Sequence, residues 1–517
     1  ILTADPDFLA RLRRQWPYVL EDEAQDSSRS QEDILRLLAD HPTGGWVRVG
    51  DPNQSIYYTF TNASPEYLRR FLREPGVRCW ELPHSGRSQP SIIRLANALI
   101  AWTQQAHPVA ALRDAVTPPF IELSPPGDPQ PNPPDAPAHV RLVHHAYTPE
   151  QELRVVVESV CRWMARAEAH PGATVAVLVP SNRRGAQMAD ALRQAGVKTV
   201  ELLDNPPATR SAAEVLGHVL HHLSRPAESA HLRNLFDVWR SAHADARVLP
   251  EYERIIRAWL GRLRCLEGYL WPSDGDGGAE GLPPDVQSDA HAAHLLSAFR
   301  ACVRRWQAAA ALPVDQLVLM VANDLFTEPA DLALAYRLAV ELRTRQVLNP
   351  DWRLEELARE LEAIARNERR FMGFSETAYE PRPGEVTVAT MHRAKGLEWD
   401  RVYLTSVNAY DFPSAQPEES YIAEPWFIRD RLNLQAEALE QLRVLHAGVP
   451  AHYVEGAATQ QARLDYAAER LRLLYVGITR ARRELIITWN TGCDERQPKG
   501  PAMPFAALLR GWEQWSK

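Results

Sequence analysis

Six short aliphatic runs constrain this chain more than any other feature, because each ends in a polar or glycine-containing turn and leads into a helix-period pattern. They are Tyr18–Leu20, Trp46–Val49, Thr174–Val179, Val386–Ala389, Arg401–Leu404 and Leu485–Thr488. Strands alternating with helices are joined by crossovers and so lie parallel, which makes the fold class α/β. Two runs lie near the N-terminus and the rest follow much later, so two parallel sheets are predicted. From about Ser211 to Arg370 the pattern is almost wholly helical instead, with apolar residues three and four apart in Ala230–Arg240, Glu251–Leu266 and Leu354–Arg370. A Gly/Asp/Pro-rich loop, Pro272–Pro284, interrupts it. An all-helical block between strand-bearing segments reads as a domain inserted into an α/β domain. Pro118–Pro137 carries nine prolines and is expected to be an extended connector. No fixed-period repeat is visible.

The length of 517 residues allows two to four domains. No apolar run reaches the ~18 residues of a membrane span, so no membrane partner is expected. The N-terminus has neither an initiator Met nor a signal-peptide pattern, and reads as the cut edge of a longer protein. Cys79, Cys161, Cys265, Cys302 and Cys493 are scattered without a C-x-x-C pair. That spacing fits a reducing, cytoplasmic setting and argues against a zinc or iron–sulfur site. A formal net charge of -8 supplies no global attraction to nucleic acid, so any DNA contact has to come from a local surface. Lysines are few (Lys198, Lys395, Lys499 and Lys517), the remaining basic residues being arginine. A GC-rich genome accounts for that bias more simply than selection for phosphate binding.

Two of the runs end in chemistry. Tyr18-Val19-Leu20-Glu21-Asp22-Glu23-Ala24-Gln25-Asp26 closes a strand with clustered acids, the position where open α/β sheets bind ligands. One carboxylate there can hold Mg²⁺ and its neighbour can orient or deprotonate a water. Taken alone, such a string is as readily a solvated turn. Val49-Gly50-Asp51-Pro52-Asn53-Gln54-Ser55-Ile56-Tyr57-Tyr58-Thr59-Phe60 also ends a strand in Gly-Asp, then adds a glutamine suited to a terminal phosphate. Tyr57 and Phe60 could stack on bases if exposed, or be core aromatics if not. Trp163, Trp259 and Trp352 sit at helical spacing and are read as core.

Together these two segments resemble motifs II and III of the UvrD/Rep helicase family, D-E-x-Q-D and G-D-x-x-Q-S-I-Y. The resemblance continues in order. Leu82-Pro83-His84-Ser85-Gly86-Arg87-Ser88 is similar to motif IV, Thr390-Met391-His392-Arg393-Ala394-Lys395-Gly396-Leu397-Glu398 to motif V, and Leu473–Ala481 to motif VI. The chain is thereby identified as resembling the C-terminal, larger part of a UvrD/Rep-type superfamily 1 helicase.

The resemblance implies RecA-like parallel sheets, one partial and one complete, with an inserted helical accessory domain. It divides the chain into 1–80 (remainder of a first RecA-like domain), 81–210 (first part of a second), 211–375 (accessory domain) and 376–517 (completion of the second, with a C-terminal helix). It implies ATP and Mg²⁺ as cofactors, with Asp22 on the metal and Glu23 activating the hydrolytic water. Gln54 would couple the γ-phosphate to DNA. Arg87 and Arg480 would act as arginine fingers, stabilising charge on the transferring phosphoryl group only when the cleft closes. Glu398 would hold the nucleotide sugar. Tyr57, Phe60, Thr390 and His392 would face DNA, the partner being single-stranded DNA and its junctions with duplex, travelled 3′ to 5′ in repair or recombination.

The sequence also departs from the family. No G-x-x-x-x-G-K-[ST] loop occurs, so nothing in these residues cradles β- and γ-phosphates, and the chain alone is expected not to hydrolyse ATP. After Phe60 the usual aromatic-Arg-Gly-Ala string is replaced by Thr61-Asn62-Ala63. Gly86 stands where motif IV usually carries an adenine-stacking tyrosine. Phe427–Leu445, in the long stretch between motifs V and VI, reads as an amphipathic helix packed on the motor. The altered motifs support an alternative, a degenerate helicase-like DNA- or protein-binding module without turnover. The intact Asp22, Glu23, Gln54, Arg87 and Arg480 oppose it.

Overall fold

The computed structural model describes residues 2–40, 45–56, 64–166, 171–243, 248–272, 279–371, 379–417, 419, 421, 432–446, 452–492 and 497–515. The chain forms two compact units, one of Ile1–Leu202 with Ala378–Lys517 and the other of Leu203–Thr377.

In the first unit, β1 (Tyr18–Glu21) and β2 (Gly45–Arg48) pair in parallel, Val19 opposite Trp46. β3 (His84–Ser85) and β4 (Glu122–Leu123) form a second, very short parallel pair. The main sheet uses β5 (Val140–Leu142), β6 (Val175–Val179), β7 (Thr199–Leu202), β8 (Val386–Thr390), β9 (Trp399–Leu404) and β10 (Ala481–Ile487). All six are parallel, in the order β5-β10-β9-β6-β8-β7. This is the mixed α/β architecture with parallel sheets that the alternating runs predict. Every residue of β6 and β8 is buried, which is why these strands read as unbroken Val/Ala/Leu/Thr runs rather than alternating ones.

Helices cover both faces of this sheet. Helix Pro149–Met164 begins at a capping box, Thr148 with Gln151, and has proline in its first turn. With Asn182–Gln194 it buries Val156, Val160, Met188 and Leu192 against Val177 and Val388. Helices Pro90–Ala106, Ala457–Thr479 and Met503–Trp515 close the opposite face around Ile92, Leu99, Leu404, Leu474 and Phe505. Pro118–Pro137 contributes only β4 and, at its last residue, the start of a 3₁₀ turn over Pro137–His139.

The second unit is helical throughout its described residues, from Pro207–Ser224 to Leu354–Ala365. Its core includes Leu216, Phe236, Phe299, Trp306, Leu338 and Leu361. The expected helix over Glu251–Leu266 breaks after Leu260 and resumes at Leu266–Leu270. The one over Leu354–Arg370 ends at Ala365, because Asn367 turns to φ 58°. Buried Asn205 ties the unit's two chain ends together: its Nδ2 donates to the carbonyls of Ile364 (3.1 Å) and Arg369 (2.7 Å), and its Oδ1 accepts from the Phe371 amide (2.8 Å). Among the described residues no helix is long and apolar enough to cross a membrane.

Of the amphipathic helix expected over Phe427–Leu445, residues 427–431 lie outside the described ones. The helix that forms is Leu434–His446. Its polarity is opposite to the expectation. Leu439, Leu442 and Leu445 are exposed, and the buried residue is Glu437. That carboxylate accepts from Tyr453 Oη (2.6 Å) and the Thr459 amide (2.7 Å), so hydrogen bonds rather than leucine packing fix the helix.

Candidate active site

β1 and β2 end side by side, which brings the two acidic strings together. Glu23 leaves β1 in the left-handed backbone region, φ 51°, a conformation costing about 1 kcal/mol for an L-residue. The kink directs Ala24–Asp26 into a 3₁₀ turn against the loop after β2. Gln25 joins the loops: its Oε1 accepts the Asp51 amide (3.0 Å), and its Nε2 donates to Glu23. Gly50 permits the approach, since a Cβ there would lie 2.3 Å from Gln25 Oε1.

Asp22 is exposed at the strand end, accepting the Glu23 amide at 2.9 Å. A solvent-facing carboxylate suits Mg²⁺, which keeps most of its waters and takes one or two protein carboxylates beside substrate phosphates. Among the described residues no cluster of three acids, histidines or cysteines forms a closed metal cage. An exposed strand-end carboxylate fits a cation that keeps most of its own waters.

Glu23 faces Lys395, Nζ to Oε2 3.1 Å, and the same ammonium is paired with Asp26. Burial alone would push the Glu23 carboxyl up. Lys395, the Gln25 hydrogen bond and the more distant charge of Arg480 outweigh it and hold the group below its ordinary range. Glu23 is thus an ionised acceptor, as a water-orienting residue needs to be. At Asp26 burial prevails over Lys395 and the carboxyl is pushed up. Asp51 is likewise raised by burial, against hydrogen bonds from Gln54 Nε2 (2.9 Å) and the Asn53 amide (2.9 Å). Gln54 is therefore tethered to Asp51, half-buried beside the acids.

The second set of groups comes from the loop after β3 and from the segments that lead into β9 and β10. Arg87 donates from Nε to Glu398 Oε2 at 2.6 Å, and Arg482 stands 3.6 Å from the other oxygen. Arg480 is buried, donating to the carbonyls of Val476 (3.1 Å) and Leu397 (3.3 Å) and to Thr479 Oγ1 (3.0 Å). Burial first, then repulsion by Arg87, brings its pKa down to about 9, so it stays charged at neutral pH. Arg87 is held by Glu398 and Arg480 by backbone carbonyls and Thr479, while Glu23 and Asp51 feel the charge of Arg480. Gly86 cannot be exchanged for a stacking aromatic, because a Cβ there would fall 1.7 Å from the Gln130 carbonyl oxygen.

The expected DNA-facing residues divide. Tyr57 and Phe60 lie outside the described residues. Thr390 is buried at the end of β8, its Oγ1 accepting the Arg393 amide at 3.3 Å. His392 is half-buried, with Nε2 3.4 Å from Glu469 Oε1. These contacts hold the turn after β8.

Sequence reasoning assigned no role to Lys395, although it stands inside the motif V string, nor to Asp26, which closes the first acidic string. It also passed over Arg472. That buried side chain donates to the Ser55 carbonyl at 2.5 Å and the Ala115 carbonyl at 3.5 Å, pinning the second acidic loop to helix Ala457–Thr479. Burial lowers its pKa to about 10. Asn53 completes the clamp, exchanging hydrogen bonds with the Thr117 backbone at 2.7 and 2.8 Å.

Residues 1–75 match the UvrD/REP helicase N-terminal domain, and residues 354–492 match the UvrD-like helicase C-terminal domain. ATP-dependent DNA helicase UvrD2 of Mycobacterium tuberculosis is 26% identical over 471 residues, covering 90% of this chain and 46% of that protein. DNA helicase II of Escherichia coli is 40% identical over 96 residues, 18% of this chain and 13% of its own. RecBCD enzyme subunit RecB of Haemophilus influenzae is 23% identical over 547 residues, covering 95% of this chain and 38% of that subunit. The chain spans less than half the length of these relatives.

Proposed function

Because the chain belongs to the UvrD/Rep-type superfamily 1 helicases, we propose that it forms part of an ATP-dependent DNA helicase or translocase. It moves along single-stranded DNA 3′ to 5′, acts at junctions with duplex, and serves repair or recombination. The observation that carries this reading is the meeting of the strand-end acids with Lys395 and the charge of Arg480, contributed by the other sheet. Acids on one side and guanidinium groups on the other are what a phosphoryl-transfer cleft requires.

Mg²⁺-ATP would supply the phosphoryl group and the cation that neutralises it. Asp22 would hold the metal, ionised Glu23 would orient the attacking water, and Gln54 would report the γ-phosphate through the Asp51 loop. Arg87 would exchange Glu398 for phosphate oxygens on closure, freeing Glu398 for the sugar. Arg480, already desolvated, would stabilise the transition state with little reorganisation. Thr390 and His392 would reach DNA through the turn they brace, and Tyr57 and Phe60 would stack on bases. The proposed divisions are 1–80, 81–210, 211–375 and 376–517.

Gly86 favours the second reading, a binding module without turnover, since its crowded backbone excludes the stacking aromatic. DNA-stimulated ATP hydrolysis separates the two. The chain alone and a version extended upstream through a phosphate-binding loop are compared, each with Glu23→Gln. Activity confined to the extended form and abolished by Glu23→Gln supports the motor. Silence in both forms, with DNA still bound, supports the binding module.

A further inference from the structure

A cavity of about 310 Å³ opens between the main sheet and the C-terminal half of helix Pro149–Met164. Arg401 of β9 and Glu484 of β10 are register partners and form an ion pair on its floor. The Arg401 guanidinium lies 5.7 Å from the Trp163 ring centroid and 5.0 Å from that of Tyr403, and its Nε donates to Tyr403 Oη at 2.9 Å. Its orientation is therefore fixed. Three further arginines line the same cavity: Arg141 from edge strand β5, and Arg162 and Arg166 from the helix and its end. All three are exposed, and among the described residues none of them is paired with a carboxylate. Among the described residues Glu484 is the one acid of the lining, and it is already engaged by Arg401. Among the described residues four arginines thus share this cavity with one carboxylate, which is already committed.

Like charges gathered around a concavity repel unless an anion joins them, and planar guanidinium forks match phosphate oxygens in pairs. The volume is at the lower bound for ligand pockets, enough for a phosphate with its sugar rather than a whole nucleotide. The cavity is also separate from the proposed DNA turn. Arg401 pairs with Val175, and Val175 with Val386, four residues before Thr390, or about 13 Å along the sheet. We propose that this pocket is a second phosphate site, taking a backbone phosphate of a nucleic-acid strand outside the track braced by Thr390 and His392. The proposal rests on the reading of the chain as DNA-binding.

The test is fluorescence anisotropy of the full chain with a labelled single-stranded oligonucleotide across a salt series, competed with inorganic pyrophosphate or polyglutamate. Arg162→Ala/Arg166→Ala should weaken binding irrespective of base sequence. It should also make the slope of log K against log salt shallower by about 0.7 for each phosphate no longer neutralised on a single strand. Arg162→Lys/Arg166→Lys keeps the charge and should retain the slope with reduced affinity. Exposed Arg510→Ala should change neither. Unaltered circular dichroism excludes misfolding as the cause.

Loss of binding in His392→Ala with none in the double alanine variant would overturn the pocket and leave the DNA-binding reading standing. Absence of binding by the parent chain would overturn both. Pyrophosphate binding that depends on Arg162 and Arg166 while DNA binding does not would make the site one for a free phosphate ligand, contrary to the proposal. Stronger competition by polyglutamate than by pyrophosphate would point to an acidic protein and overturn it equally.

Discussion

The β1–β2 pair and the six-stranded sheet are both parallel, yet they are held by different physics. In the larger sheet aliphatic side chains are sealed on both faces: Val177, Leu178, Val388 and Leu404 are fully buried. In the smaller one Tyr18, Leu20 and Val47 are more than half exposed, and among the described residues the buried apolar cluster amounts to Ala39, Trp46 and Phe71. Its interior is ionic instead. Arg48 is buried between Glu21 and Glu32, each at 2.7 Å, with its guanidinium 4.5 Å from the Trp46 centroid and 5.0 Å from that of Phe71. Burying a charge is tolerable only while its partners remain, so the small sheet should be brittle toward loss of a partner and indifferent to its outer surface.

The largest expected effect follows directly. Arg48→Ala leaves Glu21 buried without a cation, and Glu32 with Arg36 alone at 2.9 Å, and should cost about 3–5 kcal/mol in urea unfolding. Leu404→Ala in the larger sheet should cost about 2–5 kcal/mol by leaving a cavity. High salt should leave the Leu404→Ala cost unchanged. A mild loss in Arg48→Ala would mean water reaches those acids, and the contrast between the sheets would collapse.

The contrast also explains what the sequence reveals. Buried parallel strands announce themselves as unbroken runs of small and aliphatic residues, so β6 and β8 were legible, and β9 through its Val402-Tyr403-Leu404 end. Edge strands do not. β7 is the half-buried Thr-Val-Glu-Leu and β5 only Val-Arg-Leu, too short or too mixed for either periodicity. The acidic strings were legible because acids at a strand end are unusual. Lys395 was not, because its partners Glu23 and Asp26 stand some 370 residues away and only the fold joins them. Glu437 defeats periodicity in the other direction, as a buried carboxylate on the side where leucines were expected.

Strand ends of the larger sheet sharpen the comparison, because there a carboxylate has mostly neutral neighbours. Glu152 is buried among Ser406, Thr488 and Asn490, and nearby Asp411 accepts from Asn408 Nδ2 at 3.0 Å. Burial pushes the Asp411 carboxyl up to about 6, against Arg184 and Asn408. A raised carboxyl means the folded state keeps its proton longer, so this group's contribution to stability falls as pH rises from about 4 to about 6. Asp411→Asn should remove that slope and gain about 2–3 kcal/mol on the parent above pH 6, two units at about 1.36 kcal/mol each. Parallel stability–pH curves for the two proteins would show that Asp411 is solvated in the folded state.

Lys395→Ala asks the same question of the small sheet's acids. Asp26 is largely buried and would lose its cation, so the cost should be about 1–3 kcal/mol at pH 7. The deficit should shrink toward pH 5, because a raised carboxyl accepts a proton and no longer needs a counter-charge. A deficit independent of pH would assign Lys395 a packing role through its methylene stem.

The smallest effect tests the exposed face itself. Leu20 is 78% exposed, so Leu20→Ala removes little surface that folding had taken from water and should change stability by no more than about 0.5 kcal/mol. Unfolding should be followed at several protein concentrations. A cost near 2 kcal/mol that grows with concentration would mean copies of the chain cover this face for one another, and the small sheet would then be apolar-packed like the large one. A cost that stays small and independent of concentration would leave Arg48 and its two acids as the principal support of β1 and β2.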